Sequence, residues 1–227
     1  MRIASLTGFG ASLNGSLDFG MRDQAVAGEL RGKIESLAGL MHQLEGNVTL
    51  PSGSQLPFKI DGAAEAQAQI LGSLRNPHAS IDIKGAGLSA GPLTGANLEM
   101  HGEYSAERFL ITHARLDWHG QSATAEGEIG WASDSSPLRM QVHAEQVSLG
   151  ETARLLGLGP EDVNGTASAK FAITGTRSRP RVNGAFVAHG IEAYGELLGD
   201  LDGESEWDGS KLVLNRLFLN KQCKLRQ

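Results

Sequence analysis

The chain has one cysteine, Cys223, so no disulfide can close within it. That neither demands nor excludes an oxidising compartment. Aromatic residues are few: three Trp, two Tyr and seven Phe in 227 residues. No apolar run approaches the length of a membrane span. The opening stretch, MRIASLTGFGASLNG, lacks the apolar core of a signal peptide. There is no basic block either. The net charge is −6, and Lys221, Lys224 and Arg226 cluster only at the C-terminus, where they read as a solvated tail. Phosphate binding depends on clustered Lys and Arg, so nucleic acid is excluded as a partner. What the chain does have is glycine, 30 residues of it, with abundant Ala, Leu and Ser, the composition of a soluble β-rich protein.

Part of the sequence is written twice. Asp61–Leu88 (DGAAEAQAQILGSLRNPHASIDIKGAGL) aligns without a gap on Asn164–Ile191 (NGTASAKFAITGTRSRPRVNGAFVAHGI). Gly62 falls on Gly165, Ala64 on Ala167, Ile70 on Ile173, Gly72 on Gly175, Pro77 on Pro180 and Gly87 on Gly190. A repeat of this length implies stacked copies of one supersecondary unit, working through a long surface rather than one pocket.

The local pattern is period-two alternation, which predicts strands with one dry and one wet face. Ala64, Ala66, Ala68 and Ile70 alternate with Glu65, Gln67 and Gln69. Ala167, Ala169, Phe171 and Ile173 alternate with Ser168, Lys170 and Ala172. Ile81 and Ile83, Leu98 and Met100, Ala123 and Ala125, and Leu138 through Ala144 continue the pattern. Turn signals such as Asn14-Gly15, Asp61-Gly62, Asn76-Pro77, His119-Gly120, Asn164-Gly165 and Asp208-Gly209 recur about every ten residues and predict an up-and-down meander. Two stretches have helical spacing instead, Glu35–Leu44 and Leu149–Leu158, each placed to cap one part of an open sheet. Asn47–Ile60 reads as an inserted hairpin. The chain begins and ends inside periodic sequence, and we expect a segment of a longer protein.

Candidate chemistry is sparse. Of seven histidines, His113 and His119 are closest but a turn separates them, and His101 and His143 fall on wet faces. No Cys or carboxylate stands at ligand spacing, so the histidines read as solvated and no metal is expected. No Gly-x-Ser-x-Gly elbow sits between a strand and a helix, and Gly53-Ser54 and Gly72-Ser73 read as turns. Gly85-Ala86-Gly87 is not followed by Lys-Ser/Thr, so it is not a phosphate loop. Glu126, Glu128, Glu145, Asp200, Asp202, Glu204 and Glu206 form acidic rows that read as a solvated outer surface discouraging edge aggregation. Trp118, Trp131 and Trp207 fit either a rim or a core. No enzyme activity and no cofactor is expected.

Taken together, the Gly72-Ser73 and Gly175-Thr176 turns with Pro77 and Pro180 after them, the strands ASIDIKGAGLSAGPLTGANLEMHGEY and VNGAFVAHGIEAYGELLGDLDGESEW, and the helix SLGETARLLGLGPEDVNG resemble the AsmA-like family, most closely its TamB type. The resemblance covers the chain from about Glu35 onward. It implies an all-β fold: an elongated, repeat-built antiparallel sheet curled into an open apolar groove, with short interspersed helices. On this reading 1–60 is a partial repeat with a short helix near 35–44, 61–160 a β-groove repeat ending in a short helix near 149–158, and 161–227 a second, truncated repeat. Such proteins are anchored in the inner membrane of Gram-negative bacteria, extend through the periplasm and are implicated in carrying phospholipid toward the outer membrane. The TamB type is also linked to an Omp85-type barrel and outer-membrane protein assembly. The anchor and the barrel-binding region are not recognisable in this chain.

The expected function is therefore a periplasmic segment of a conduit that shields phospholipid acyl chains. Leaving a bilayer costs about 0.8 kcal/mol per CH₂, on the order of 12 kcal/mol for a sixteen-carbon tail, and an apolar trough removes most of that cost. The expected groove lining is Ala64, Ala66, Ala68, Ile70, Ile81, Ile83, Leu98, Met100, Ala167, Ala169, Phe171 and Ile173. The expected partners are phospholipid acyl chains and, through regions outside this chain, an Omp85-type outer-membrane barrel. Two alternatives stand beside it: a chaperone-like scaffold that holds outer-membrane protein strands by strand addition, and a closed β-sandwich binding module, against which the many small dry-face residues argue.

Overall fold

Alternation at period two yields strands here, and short turns, several of them bearing glycine, join most strands to the next within a unit. The computed structural model describes residues 5–8, 10–20, 24–39, 60–131, 133, 135–155, 163–176 and 178–221. Among these the chain is all-β, with thirteen strands and a short helix. It forms two compact units, Met1–His119 and Gly120–Gln227.

The first unit holds β1 (Ser5–Gly8), β2 (Ala11–Phe19), β3 (Val26–Ile34), β4 (Ile60–Ser73), β5 (Asn76–Ala90), β6 (Leu93–Ser105) and β7 (Arg108–Trp118). The second holds β8 (Gln121–Gly130), β9 (Leu138–Ser148), the helix α1 (Leu149–Leu155), β10 (Val163–Thr176), β11 (Arg179–Ala193), β12 (Glu196–Trp207) and β13 (Leu212–Asn220). Within each unit consecutive strands pair antiparallel. In neither unit does the last strand return to the first, so the sheet does not close within either.

The twice-written blocks form the same local structures. Strands β4 and β10 both have 14 residues, and β5 and β11 both have 15. Gly72 pairs with Pro77, and Gly175 with Pro180, where each hairpin closes. Gly72 has φ 116° and Gly175 φ 99°. A Cβ on Gly72 would lie 2.6 Å from the Asn76 carbonyl oxygen, so only glycine fits this turn. Ser73 Oγ accepts the Asn76 amide at 3.2 Å, which accounts for the Gly-Ser pair as a turn.

The same alignment carries into strands beyond the repeated blocks. The β6–β7 ladder shifts register at Thr112, and the β12–β13 ladder shifts at Asn215, the position aligned with Thr112. Thr112 Oγ1 donates to the His101 carbonyl at 3.1 Å across the first of these bulges. In the hairpin bends, the Gly87 amide donates to Asn97 Oδ1 at 3.4 Å and the aligned Gly190 amide donates to Asp200 Oδ1 at 2.9 Å.

Helix α1 begins where β9 stops. Ser148 Oγ accepts the Glu151 amide at 3.3 Å, an N-cap, and Glu151 pairs with Arg154 at 2.5 Å one turn on. The helix packs on β9 and β10. A Cβ on Gly165 would lie 3.1 Å from Leu149 Cδ1, and Gly165 shares a face with Ala167 two residues on, so α1 covers one end of the alanine-bearing face. Residues 156–158 of the expected helix lie outside the described residues. So do 40–44 of the first expected helix and 47–59 of the inserted hairpin, whose last residue, Ile60, opens β4. Of that first helix, 37–39 are helical. They are held by Asp61, whose carboxylate accepts Ser36 Oγ at 3.0 Å and the Ala38 amide at 3.3 Å.

Burial is shallow. The buried apolar residues are Val26, Ala96, Ile111 and Trp118 in the first unit and Val147, Ala188 and Ile191 in the second. No large side chain among the described residues is fully buried. Trp118 belongs to this core, whereas Trp131 and Trp207 are half-buried.

The turn between β12 and β13 is fixed by a carboxylate. Asp208 Oδ1 accepts the Ser210 amide at 3.0 Å, the Lys211 amide at 2.9 Å and Ser210 Oγ at 2.9 Å. The two amides, Lys211 foremost, hold its pKa down to about 2. A carboxylate with a lowered folded-state pKa stabilises above the unfolded value, near 3.9, and that contribution vanishes as pH falls through the folded value. Asp208→Asn is therefore expected to be less stable than the parent at pH 7, with the gap closing between pH 4 and pH 2. Urea unfolding at pH 7, 4 and 2.5 measures it, and a gap that stays constant with pH contradicts this assignment.

Candidate functional site

The expected lining residues come from separate strands, and the ladder register determines whether they meet. Paired residues in an antiparallel ladder project to the same face. In the first unit the pairings generate four cross-strand rows. One is Ala11–Ile34–Ala64–Gly85–Leu98–Leu116. The next is Leu13–Gly32–Ala66–Ile83–Met100–Ala114. The third is Gly15–Leu30–Ala68–Ile81–Gly102–Ile111, and the fourth Leu17–Gly28–Ile70–Ala79–Tyr104–Phe109. Apart from the Tyr104 hydroxyl, no side chain in them is polar. Ala64, Ala66, Ala68, Ile70, Ile81, Ile83, Leu98 and Met100 all fall on this one face.

The second unit repeats the arrangement. Its rows are Val147–Ala167–Ala188–Leu201–Leu219, Ala123–Ala144–Ala169–Phe186–Gly203–Leu217, Ala125–Val142–Phe171–Gly184–Ser205–Leu214 and Gly127–Met140–Ile173–Val182–Trp207–Leu212. Ala167, Ala169, Phe171 and Ile173 share this face. Of the twelve expected residues, Ala66 is exposed and the other eleven are half-buried. Each unit therefore presents an apolar face that the described residues cover only in part.

The larger side chains on these faces lie low. A Cβ on Gly102 would come 2.6 Å from Phe109 Cζ, and one on Gly203 would come 2.5 Å from Phe186 Cζ. The Phe171 ring occupies the corresponding space over Gly184. Each ring is laid across a neighbouring strand's glycine, which shields the backbone and keeps the ring from standing off the sheet. At one aligned pair the summed volume is kept, since the first block pairs Ala68 with Ile81 and the second pairs Phe171 with Gly184; at another it falls, since the first pairs Ile83 with Met100 and the second pairs Phe186 with Gly203.

The opposite face is mostly polar, with Leu71, Val187, Val213 and Phe218 as exposed apolar members. In the first unit it carries Lys33–Glu65–Lys84–Glu99–Arg115 in register. Lys33 meets Glu65 at 3.3 Å, Lys84 meets Glu99 at 3.7 Å, and Arg115 meets Asp117 at 2.8 Å. The hydrogen bond from Arg115 lowers the Asp117 pKa. In the second unit Glu126, Glu145, Asp202, Glu204 and Glu206 are exposed, while Glu128 is half-buried against Arg139 at 2.7 Å. Asp200 is half-buried, and the Gly190 amide lowers its pKa.

Other candidate chemistry stays apart from the apolar rows. The exception is a depression of about 290 Å³ where β9 bulges, lined by His143, Glu145, Ser168, Lys170 and Val187 and also by Ala144, Ala169 and Phe186 of the second apolar row. Its one serine, Ser168, accepts the Gln146 amide at 3.1 Å and so serves the bulge. Histidines 101 and 113, not 113 and 119, are cross-strand partners. No group of three or more His, Cys, Asp or Glu side chains among the described residues is placed to hold a metal, and no helix among them is long and apolar enough to cross a membrane.

Several residues on the apolar face escaped the sequence reading. In β2 and β3, Leu13, Leu17, Leu30 and Ile34 alternate with a polar set, but glycines fill the other apolar slots and dilute the signal. In β7, Phe109 and Ile111 are out of phase with Ala114 and Leu116 because Thr112 bulges. Comparison of the chain with known protein families, with curated proteins and with solved structures finds no match.

The glycine–ring pairs yield a stability prediction. Gly184→Ala places a methyl inside the volume of the Phe171 ring, and overpacking of this kind costs about 1–3 kcal/mol. The double variant Gly184→Ala with Phe171→Ala is expected to regain part of that loss, measured as a non-additive coupling in urea unfolding. Strict additivity would mean that the ring does not occupy the glycine.

Proposed function

We propose that the apolar faces are lipid-carrying surfaces, and that the chain is a segment of a TamB- or AsmA-like conduit in the periplasm. The sheet would be built from copies of one unit and curled into an open groove. Its lining would solvate phospholipid acyl chains between inner and outer membrane with no bond made or broken. The observation that carries the reading is the continuity of the rows. Four rows in each unit run across consecutive strands with almost no polar side chain and little cover. Exposed apolar patches beyond a few hundred Å² on a protein surface mark interaction sites. A row across strands is also the direction in which an extended acyl chain can keep contact with every strand it passes.

The flat rings support the same reading. A packed sandwich fills its interior with large buried side chains, and the described residues contain none that is fully buried. Small residues and rings folded onto glycine instead leave space above the sheet for a guest. The aligned bulges at Thr112 and Asn215 support the copied unit.

One observation favours the second reading, a chaperone-like scaffold for outer-membrane protein strands working with an Omp85-type barrel. Strand β13 leaves Leu212, Leu214, Leu217 and Leu219 more than half exposed, at 65, 54, 53 and 58%. Apolar side chains exposed in this way are a surface against which an extended apolar strand could be held.

Organic extraction of the purified chain followed by lipid mass spectrometry tests the proposal. Phospholipid is expected with the parent chain and is expected to be lost from Ile83→Asp and Phe171→Asp variants that retain strand circular dichroism. A well-folded parent chain without lipid would overturn it and favour strand capture. Both substitutions place a carboxylate in the middle of a row, where an acyl chain would have to desolvate it.

A further inference from the structure

On the polar face of the first unit, Asp82, His101 and His113 are consecutive members of one cross-strand row, contributed by β5, β6 and β7. His101 Nδ1 lies 2.5 Å from Asp82 Oδ1. A hydrogen bond of this kind to a carboxylate places the imidazole proton on Nδ1 and leaves the Nε2 lone pair free. Nδ1 is turned toward β5, so Nε2 lies on the side of the ring away from it, and His113 is the partner of His101 on the β7 side. Directly paired residues in an antiparallel ladder have Cβ atoms about 4.5–5.5 Å apart, within reach of one bridging ion. Both polar partners are open to solvent, with 47% of the His101 side chain and 56% of Asp82 exposed.

The surrounding charge suits a cation. Glu103 flanks His101 two residues along β6 on the same face. The nearest guanidinium along β7, that of Arg115, is held by Asp117 at 2.8 Å. Lys84 is directed to Glu99 at 3.7 Å, and Arg31, further along the same row, is held by Glu29 at 2.8 Å.

We propose that His101 and His113 form a two-imidazole site for a divalent transition-metal ion of the zinc, copper and nickel class, with Asp82 orienting His101 from behind. Imidazole ligands suit these ions and not calcium or magnesium. With two protein donors the remaining coordination positions belong to water, so the site binds exchangeably rather than as a closed structural centre. The site is independent of the lipid reading, since it lies on the opposite face from the apolar rows. Nothing aligned with it exists in the second block, where Ala185, Glu204 and Arg216 occupy the corresponding positions.

Zinc chloride titration of the whole chain tests it, followed by calorimetry and by the imidazole proton resonances. The first equivalent is expected to perturb His101 and His113 before the other histidines. His113→Gln is expected to abolish that first phase. Asp82→Asn, which leaves both imidazoles in the chain, is expected to retain strand circular dichroism and to weaken it by about 10–100-fold, the usual cost of losing a carboxylate behind a ligating histidine. His78→Gln, on another row of the same face, is expected to leave it unchanged. Equal zinc affinity in the parent and His113→Gln, or a first equivalent that perturbs other histidines, would overturn the proposal. Magnesium binding with the same affinity as zinc would do so as well.

Discussion

Register is the constraint on which the rest of this structure depends. Each sheet is one layer deep where it is described, so its apolar face exists only if neighbouring strands keep their apolar positions opposite one another. A slip of one residue between β5 and β6 would turn Ile81 and Ile83 to face positions now held by charged side chains. Hydrophobicity alone does not resist a slip of two, which leaves the faces intact. The charges do. Asp82 is paired with His101, and a two-residue slip in either direction between β5 and β6 would set it opposite Glu99 or Glu103. A two-residue slip between β4 and β5 in one direction would set it opposite Glu65. Each exposed pair contributes only about 0.2–1 kcal/mol, but the penalties recur strand after strand. The polar face therefore does more than dissolve: it selects the register that assembles the other face.

This also explains which parts could be read from the sequence. Where side chains alternate without interruption, as in β4, β5 and β10, residues two apart share a face and the ladder preserves that assignment. Ala64 through Ile70 and Ala167 through Ile173 were legible for that reason. Thr112 defeats the pattern because an inserted residue reverses the phase, so Ile111 and Ala114 share a face although they are three apart. Gln146 does the same in β9, where Ala144 and Val147 are both on the apolar side. In β2 and β3 the difficulty is chemical rather than geometric. Gly15, Gly28 and Gly32 occupy apolar positions without looking apolar, and Gly15 and Gly28 make room for Leu30 and Leu17 from the neighbouring strand. The pairing of His101 with His113 depends on the Thr112 bulge, and spacing along the chain could not show it. Nor could the membership of all eight expected first-unit residues in four continuous rows, which depends on the offset of every hairpin.

The glycines connect this architecture to the proposed role. In an ordinary sheet a glycine opposite a phenylalanine is a weakness, since it exposes backbone and loses side-chain packing. Here the ring is laid into the space, and at one aligned pair the large and small members exchange strands between the two blocks: Ala68 with Ile81 becomes Phe171 with Gly184. Because each ring lies over its glycine, the apolar layer stays low there. Selection on packing against a second protein layer would favour interdigitating shapes specific to each site. A low layer with rings laid flat is the kind of surface on which, in the proposed role, a chain of methylenes would rest.

An apolar sheet face has to be covered to stabilise a fold, and the described residues cover only one end of this one, beneath α1. The remaining rows keep a standing free-energy cost in water, roughly 25 cal/mol for each Å² of apolar surface left exposed. A guest that removes this surface from water stabilises the folded state by mass action, so loading and folding would be coupled. In the proposed role that coupling would give the uncovered rows a use: they would bind acyl chains because the protein has not satisfied them itself. A tighter fold, with large side chains filling the space above the glycines, would be more stable alone and would have nothing left to offer a lipid.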